Sequence, residues 1–263
     1  MSSNFIQNKL YRNSAIAFLK FYSRILIWRT GERVFINSIP KAGTHLLTSI
    51  IEEMPGMMNS RIHLNVEDVS EYKHSELALT NFTLSKRKLA SILDRVNGGQ
   101  FITAHLPWSE DLERMLKERN FKILNLDRNS EAILLSRLHY IMELKRHHLH
   151  HQLKGQYPDF EARVNALRAG FPPSRLGPGT ESFDYILDAF KNWKGRTEVL
   201  NLTFEELVGE KGGGDQRSRL DAIDRIMTFL NIRSDMALIQ KVHVSSQDKK
   251  TATLRAGRIN TTS

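Results

Sequence analysis

The chain has 263 residues, 40% hydrophobic, with a formal charge of +9 from 38 Lys and Arg against 29 Asp and Glu, and it contains no cysteine. That length and apolar content suit one large soluble domain with a substantial core, and the absent cysteine excludes a disulfide framework and any thiolate metal site. The positive excess points to an anionic partner without naming it: a polyanionic nucleotide, an acidic glycan, nucleic acid or a membrane surface all fit.

Residues 1–32 form the first unit. Ile16, Leu19, Phe21, Ile25 and Trp28 lie near helical spacing. The stretch 15–28 is interrupted by Lys20, Ser23 and Arg24 and is shorter than the about 20 residues a membrane span needs. It reads as a helix packed on the domain, with an interfacial helix resting on lipid as the second reading. No basic, apolar and small-residue succession marks a secretion signal, so a cytoplasmic location is expected.

Residues 33–263 read as one domain. Apolar strand patterns at 33–38, 100–104, 121–126 and 197–202 alternate with helical patterns at 43–53, 109–119, 129–151, 181–192, 217–231 and 235–243. This alternation predicts an α/β fold with a mostly parallel central sheet, helices on both faces and ligands at the C-terminal ends of the strands. The first strand runs through Pro40-Lys41-Ala42-Gly43-Thr44-His45 into a helix. Amides around Ala42, Gly43 and Thr44 then sit at a helix N-terminus, where orphan N–H groups and the dipole favour a phosphate. The usual nucleotide-triphosphatase loop places Gly before, and Lys after, the turn in G-x-x-x-x-G-K-[ST]; here Lys41 precedes Gly43 and the residue four before Lys41 is Asn37, not Gly, so that motif is absent as written.

Further candidates follow in order. The second strand ends in His105-Leu106-Pro107, and the third in Asp127-Arg128-Asn129, with Ser136 eight positions after Arg128. The fourth runs into Thr203-Phe204-Glu205-Glu206-Leu207, and Leu254-Arg255-Ala256-Gly257 lies near the end. An imidazole is suited to proton transfer near pH 7, and an Arg fork to a phosphate.

Taken together, Pro40-Lys41-Ala42-Gly43-Thr44, His105-Leu106-Pro107, Arg128 with Ser136, Phe204-Glu205-Glu206-Leu207 and Arg255-Ala256-Gly257 resemble, in the same order, the motifs of sulfotransferases that use 3'-phosphoadenylyl sulfate (PAPS). The resemblance implies a P-loop-like sulfotransferase fold with PAPS as co-substrate, PAP as product and no metal. It implies that Lys41, Ala42, Gly43, Thr44 and His45 hold the 5'-phosphosulfate, that Arg128, Ser136, Arg255, Ala256 and Gly257 hold the 3'-phosphate, and that Phe204 lies beside the adenine. Lys41 and His105 become the catalytic cation and base. The chain departs from the family at Thr103, where a Lys is common, at His45, where a second Thr is usual, and at Leu46, where many members have a Trp. Ser245-Ser246 resembles the family's Ser-rich adenine-side turn.

The implied acceptor is a small molecule or a glycan, and no nucleic-acid partner is expected. Residues 52–99 and 139–180 are expected to line its pocket, with Trp108, Tyr140 and Tyr157 as flat surfaces. The Pro- and Gly-rich loop 171–180 reads equally as a lid or a connector, and residues 209–215 as a flexible surface turn. His147, His148, His150 and His151 invite a metal reading because His147 and His151 would share a helix face, but a solvated or acceptor-facing cluster is the preferred one. Two other classes stay open: a P-loop nucleotide kinase or NTPase, with Asp127 as its magnesium ligand, and a non-enzymatic basic protein that binds RNA or an acidic glycan. Neither the acceptor nor the oligomeric state is fixed by the sequence.

Overall fold

The computed structural model of the protein describes residues 31–71 and 82–247. The expected N-terminal helix at 1–32 and the Arg255-Ala256-Gly257 segment lie outside the described residues, apart from positions 31 and 32. Strands β1 (Arg33–Ser38), β2 (Met58–Leu64), β3 (Gln100–Ala104), β4 (Phe121–Asp127) and β5 (Val199–Thr203) form one sheet in the order β2-β3-β1-β4-β5. Every pairing is parallel. Parallel neighbours require crossovers, and the helices supply them.

Helix α1 (Thr44–Ile51) follows β1, α2 (Val66–Val69) and α3 (Lys86–Leu93) link β2 to β3, and α4 (Glu110–Glu118) links β3 to β4. Between β4 and β5 come α5 (Ser130–Glu143), α6 (His150–Gln156), α7 (Phe160–Ala169) and α8 (Phe183–Lys191); α9 (Phe204–Val208), α10 (Gln216–Phe229) and α11 (Met236–Gln247) close the described fold. No described helix is long and apolar enough to cross a membrane.

The central strand shows why both faces must be covered. Successive side chains alternate, so Phe35 enters one core with Ile102 and Ile123, while Val34 and Ile36 enter the other with Leu124, Leu126 and Leu202. Helices α3 to α8 pack on the first face, and α1 with α9 to α11 on the second. Fully burying each such side chain stabilises the fold by about 1.5–3 kcal/mol. The register aligns Asn37 with both Ala104 and Asn125, so β1, β3 and β4 deliver their following residues to one sheet edge.

Three expectations change. Strand β2 was not anticipated: as an edge strand it needs little continuous apolar sequence, and Met58-Asn-Ser-Arg-Ile-His-Leu64 buries only Ser60 and Leu64. The single helix expected over 129–151 is two, α5 and α6, because Leu144 leaves helical geometry at ψ 86 and the Nδ1 of His147 accepts the backbone N–H of Leu149 at 3.2 Å. His147 therefore sits in a turn and does not share a helix face with His151. Ser245 and Ser246 belong to α11 and make no turn; Ser246 is buried and accepts from Nη2 of the buried Arg219 at 2.8 Å.

Candidate active site

The turn after β1 is built from unusual backbone. Lys41 and Gly43 both lie in the left-handed region, at φ 76 and 108, and the Ala42 N–H closes on the Ile39 carbonyl at 3.0 Å. Such alternation turns successive amides to one side, and the first N–H groups of α1 have no intrahelical acceptor, so the turn is an anion cradle. Gly43 is required twice over. A side chain there is strained at this φ, and its Cβ would come within 2.5 Å of Cδ2 of Phe204.

Phe204 is only 4% exposed. The guanidinium of Arg128 lies 4.1 Å from its ring centroid, and Nη1 of Arg128 donates to the Lys41 carbonyl at 3.3 Å. Phe204 is thus a pedestal that holds Arg128 against the turn. Burial lowers the Arg128 pKa, with Glu205 acting in the opposite sense. The two carboxylates that flank Arg128 in sequence are engaged elsewhere: Asp127 pairs with Lys194 at 2.5 Å and Glu131 with Arg168 at 2.8 Å. A cleft of about 520 Å³ opens beside Arg128, lined in part by Asn125, Asn129, Lys191, Lys194 and Glu205.

His105 stands at the end of β3. Its Nδ1–H donates to the Ser38 carbonyl at 2.8 Å, which leaves Nε2 with a lone pair. Burial, with His63 next, lowers its pKa to about 4, so it is a neutral imidazole near pH 7. The Ser38 hydroxyl lies 2.6 Å from that of Thr44. Asn37, wholly buried, fixes the following residue: its amide donates to the Leu106 carbonyl and accepts the Leu106 N–H, each at 3.0 Å, and Nε1 of Trp193 donates to the same carbonyl at 3.0 Å.

From α5, the Tyr140 ring lies 4.0 Å from Nζ of Lys41. Ser136 is one helical turn earlier on the same face, which puts it on the side of α5 that Tyr140 presents to Lys41. Beyond Tyr140, His147 meets its ring edge-on at 5.7 Å and stacks on His148 at 4.3 Å. Burial, then the nearby His148, Arg137, His150 and Lys41, lowers the His147 pKa to about 4. His45, on the first turn of α1, has its pKa lowered by burial and by Lys41. Among the described residues no cluster of three or more His, Asp or Glu is arranged to hold a metal.

The other expected surfaces are arranged differently. Tyr157 packs on Phe171 at 5.7 Å, and Trp108 is covered by Arg196 at 4.2 Å while its indole N–H donates to Glu113. The loop 171–180 is pinned: Phe171 and Thr180 exchange backbone hydrogen bonds at 3.0 and 2.8 Å, and Arg137 donates to the Thr180 hydroxyl at 2.9 Å. The turn at 209–215 contains a 3₁₀ turn, Glu210–Gly212, closed by Gly214 N–H to the Gly209 carbonyl at 2.8 Å.

Lys41, Thr44, His105, Arg128 and Phe204, expected from sequence, therefore share one neighbourhood. Asn37 and Ser38, which were not expected as parts of it, complete it together with Tyr140, expected as a flat surface of the acceptor pocket, and His63, from the stretch 52–99 expected to line that pocket. Polar residues at the end of a buried strand, Asn37 and Ser38, were the available signal for two of them.

A parallel sheet whose central strand runs through an anion cradle into a helix defines an α/β protein of the phosphate-loop class. Within that class the chain belongs to the sulfotransferase family: the family model described as "Sulfotransferase domain" matches residues 31–256. Among solved structures the chain is similar to mouse sulfotransferase SULT7A1 complexed with PAP, at 19% identity and a TM-score of 0.51, over 82% of this chain and 64% of that one. It is also similar to retinol dehydratase in complex with androsterone and inactive cofactor PAP, at 16% identity and a TM-score of 0.48, over 81% and 64%. The chain thus spans under two thirds of the length of either, and its likeness to SULT7A1 is one of fold. No curated protein matches the sequence.

Proposed function

We propose that the protein transfers the sulfonate of PAPS to a hydroxyl or amine of a small-molecule or glycan acceptor and releases PAP. The observation that carries this reading is the convergence of the Lys41 turn, the Nε2 face of His105 and the Arg128 fork at one sheet edge in a sulfotransferase-family chain.

In the reaction the acceptor oxygen or nitrogen attacks sulfur in line with the bond to the 5'-phosphate. The S–O bond to the bridging oxygen breaks as the new bond to the acceptor forms, and PAP leaves with the electron pair. Charge builds on the bridging oxygen, where Nζ of Lys41 and the amides of Gly43, Thr44 and His45 lower the barrier, while the Ala42 N–H, closed on the Ile39 carbonyl, shapes the turn instead of donating to the ligand. The Thr44 hydroxyl, now turned to Ser38, is within the same cradle. The acceptor proton passes to Nε2 of His105, whose Nδ1–H on Ser38 holds the ring in the tautomer that can accept it. The incoming negative charge raises the basicity of this imidazole above its value in the free protein.

Arg128, Ser136 and, from the segment beyond the described residues, Arg255, Ala256 and Gly257 are assigned to the 3'-phosphate. Arg128 suits this role because its backbone and ring contacts fix the guanidinium plane before a ligand arrives. The reading sets the reaction in the cytoplasm and gives nucleic acid no part in it.

Against a kinase, Asp127 lies in an ion pair with Lys194 and the G-K-[ST] order is absent. The test is a thermal-shift titration followed by turnover with labelled PAPS and a panel of phenols, alcohols, amines and sugars. Stabilisation by PAP without magnesium, with label transferred to an acceptor, is expected. A response to Mg-ATP alone would overturn the assignment.

A further inference from the structure

The neighbour of His105 across the sheet is a second imidazole. His63, on edge strand β2, meets the His105 ring edge-to-face with centroids 4.7 Å apart. Its Nδ1 lies 2.8 Å from the hydroxyl of Thr103 on β3. That hydroxyl is placed to donate to the Ile62 carbonyl at 3.5 Å, so it accepts from the imidazole Nδ1–H.

The backbone brings this residue here by an irregularity. Asn59 pairs with Phe101 and His63 with Thr103, so four steps of β2 span two of β3, and Arg61 within the bulge is left-handed at φ 61. A regular ladder would have put Arg61 opposite Thr103. The bulge turns Arg61 away, where it lies 3.9 Å from Glu52, and sets a titratable group in the place of a permanent cation. Thr103 is short and uncharged and leaves room for the ring.

We propose that His63 is a second imidazole of the transfer site, which takes a proton from solvent when the sulfonate arrives and supplies positive charge facing it. This inference rests on the reading of the site as a PAPS site. Like Arg61, and unlike Ile62 and Leu64 beside it, His63 is exposed to solvent, so both proton and ligand reach it. Burial lowers its pKa; Asp68 on α2 and the Asn65 side chain ahead of α2 raise it, and His45 on α1 lowers it. His105 on β3, whose ring His63 touches, is held neutral, and Lys41 of the turn acts on His105. The net effect lowers the His63 pKa, which favours the uncharged ring in the free protein, and an added anion favours the imidazolium. The division of labour is clear: His105 accepts the acceptor proton, Lys41 faces the bridging oxygen, and His63 faces the sulfonate oxygens, keeping its own proton until product leaves.

The experiment compares PAPS and PAP binding by calorimetry to the full-length protein, wild type, His63→Gln and His63→Lys, between pH 6 and 8. PAP lacks the sulfonate. The expected result is that His63→Gln, which retains a partner for Thr103, weakens PAPS ten-fold or more and PAP less than two-fold. His63→Lys keeps PAPS tight and removes the loss of PAPS affinity that the wild type shows as pH rises. Equal weakening of both nucleotides, no weakening of either, or a pH dependence that persists in His63→Lys would overturn the proposal. Wild-type protein that binds neither nucleotide would instead overturn the PAPS reading itself.

Discussion

The Nδ1–H of His105 donates to the backbone carbonyl of Ser38, the last residue of β1, at 2.8 Å. The same Ser38 carries the hydroxyl that touches Thr44 at the head of the phosphate cradle. The proposed base and the proposed anion site are therefore joined through a single residue of the central strand.

Replacing His105 by Ala is expected to lower turnover with labelled PAPS by about 100-fold or more, the ordinary contribution of a positioned base. PAP affinity by calorimetry should stay within about two-fold, since the imidazole is not assigned to the nucleotide. Undiminished turnover would remove His105 from the mechanism.

Gly43→Ala should destabilise the protein and weaken PAP binding together, because the new Cβ meets the Phe204 ring at a φ that alanine resists. A cost of about 2 kcal/mol or more is expected in urea unfolding. In a double-mutant cycle Phe204→Leu should relieve part of that cost and leave the backbone part. Strict additivity of the two changes would show that the ring is not the obstacle.

Asn37→Ala leaves the Leu106 N–H buried without its acceptor. The expected loss is about 2–4 kcal/mol in urea unfolding, the range for breaking a buried side-chain network. Turnover should fall as well, since Leu106 follows the base directly. A variant as stable as the wild type would contradict the clamp.

Stability should depend on pH through His105. Its folded pKa of about 4 lies below the unfolded value of 6.5, so the unfolded chain binds the proton first as pH falls. The stability is fully present above pH 6.5 and is lost on the way down to pH 4, on the order of 3 kcal/mol at most. Urea midpoints at pH 7.5 and 4.5 measure it, and His105→Gln should reduce the difference between them.

The sheet was legible where a buried strand writes itself as an apolar run ending in polar residues. Phe35-Ile36, Phe101-Ile102 and Ile123-Leu124 do so, and with the strand ends known, Lys41, His105 and Arg128 had to meet. The edge strand β2 carries no such run, and its bulge depends on pairing with β3, so the approach of His63 to His105 could not be read along the chain. The same holds for Tyr140 over Lys41, which depends on how the crossover packs. The expected helix 129–151 failed for a local reason: apolar spacing continues past Leu144, while the histidine run that follows prefers its own turn. For Phe204 the sequence located the residue but not which side of the ring is covered.

Between β4 and β5 the chain spends the stretch from α5 to α8 on one excursion, which begins and ends at adjacent strands. A graft that exchanged α6, α7 and the loop at 171–180 would leave Lys41, His105 and Arg128 on their own strand ends. On the proposed reading the sheet edge serves as a fixed chuck, and acceptor preference is then a matter of what tool is mounted opposite it.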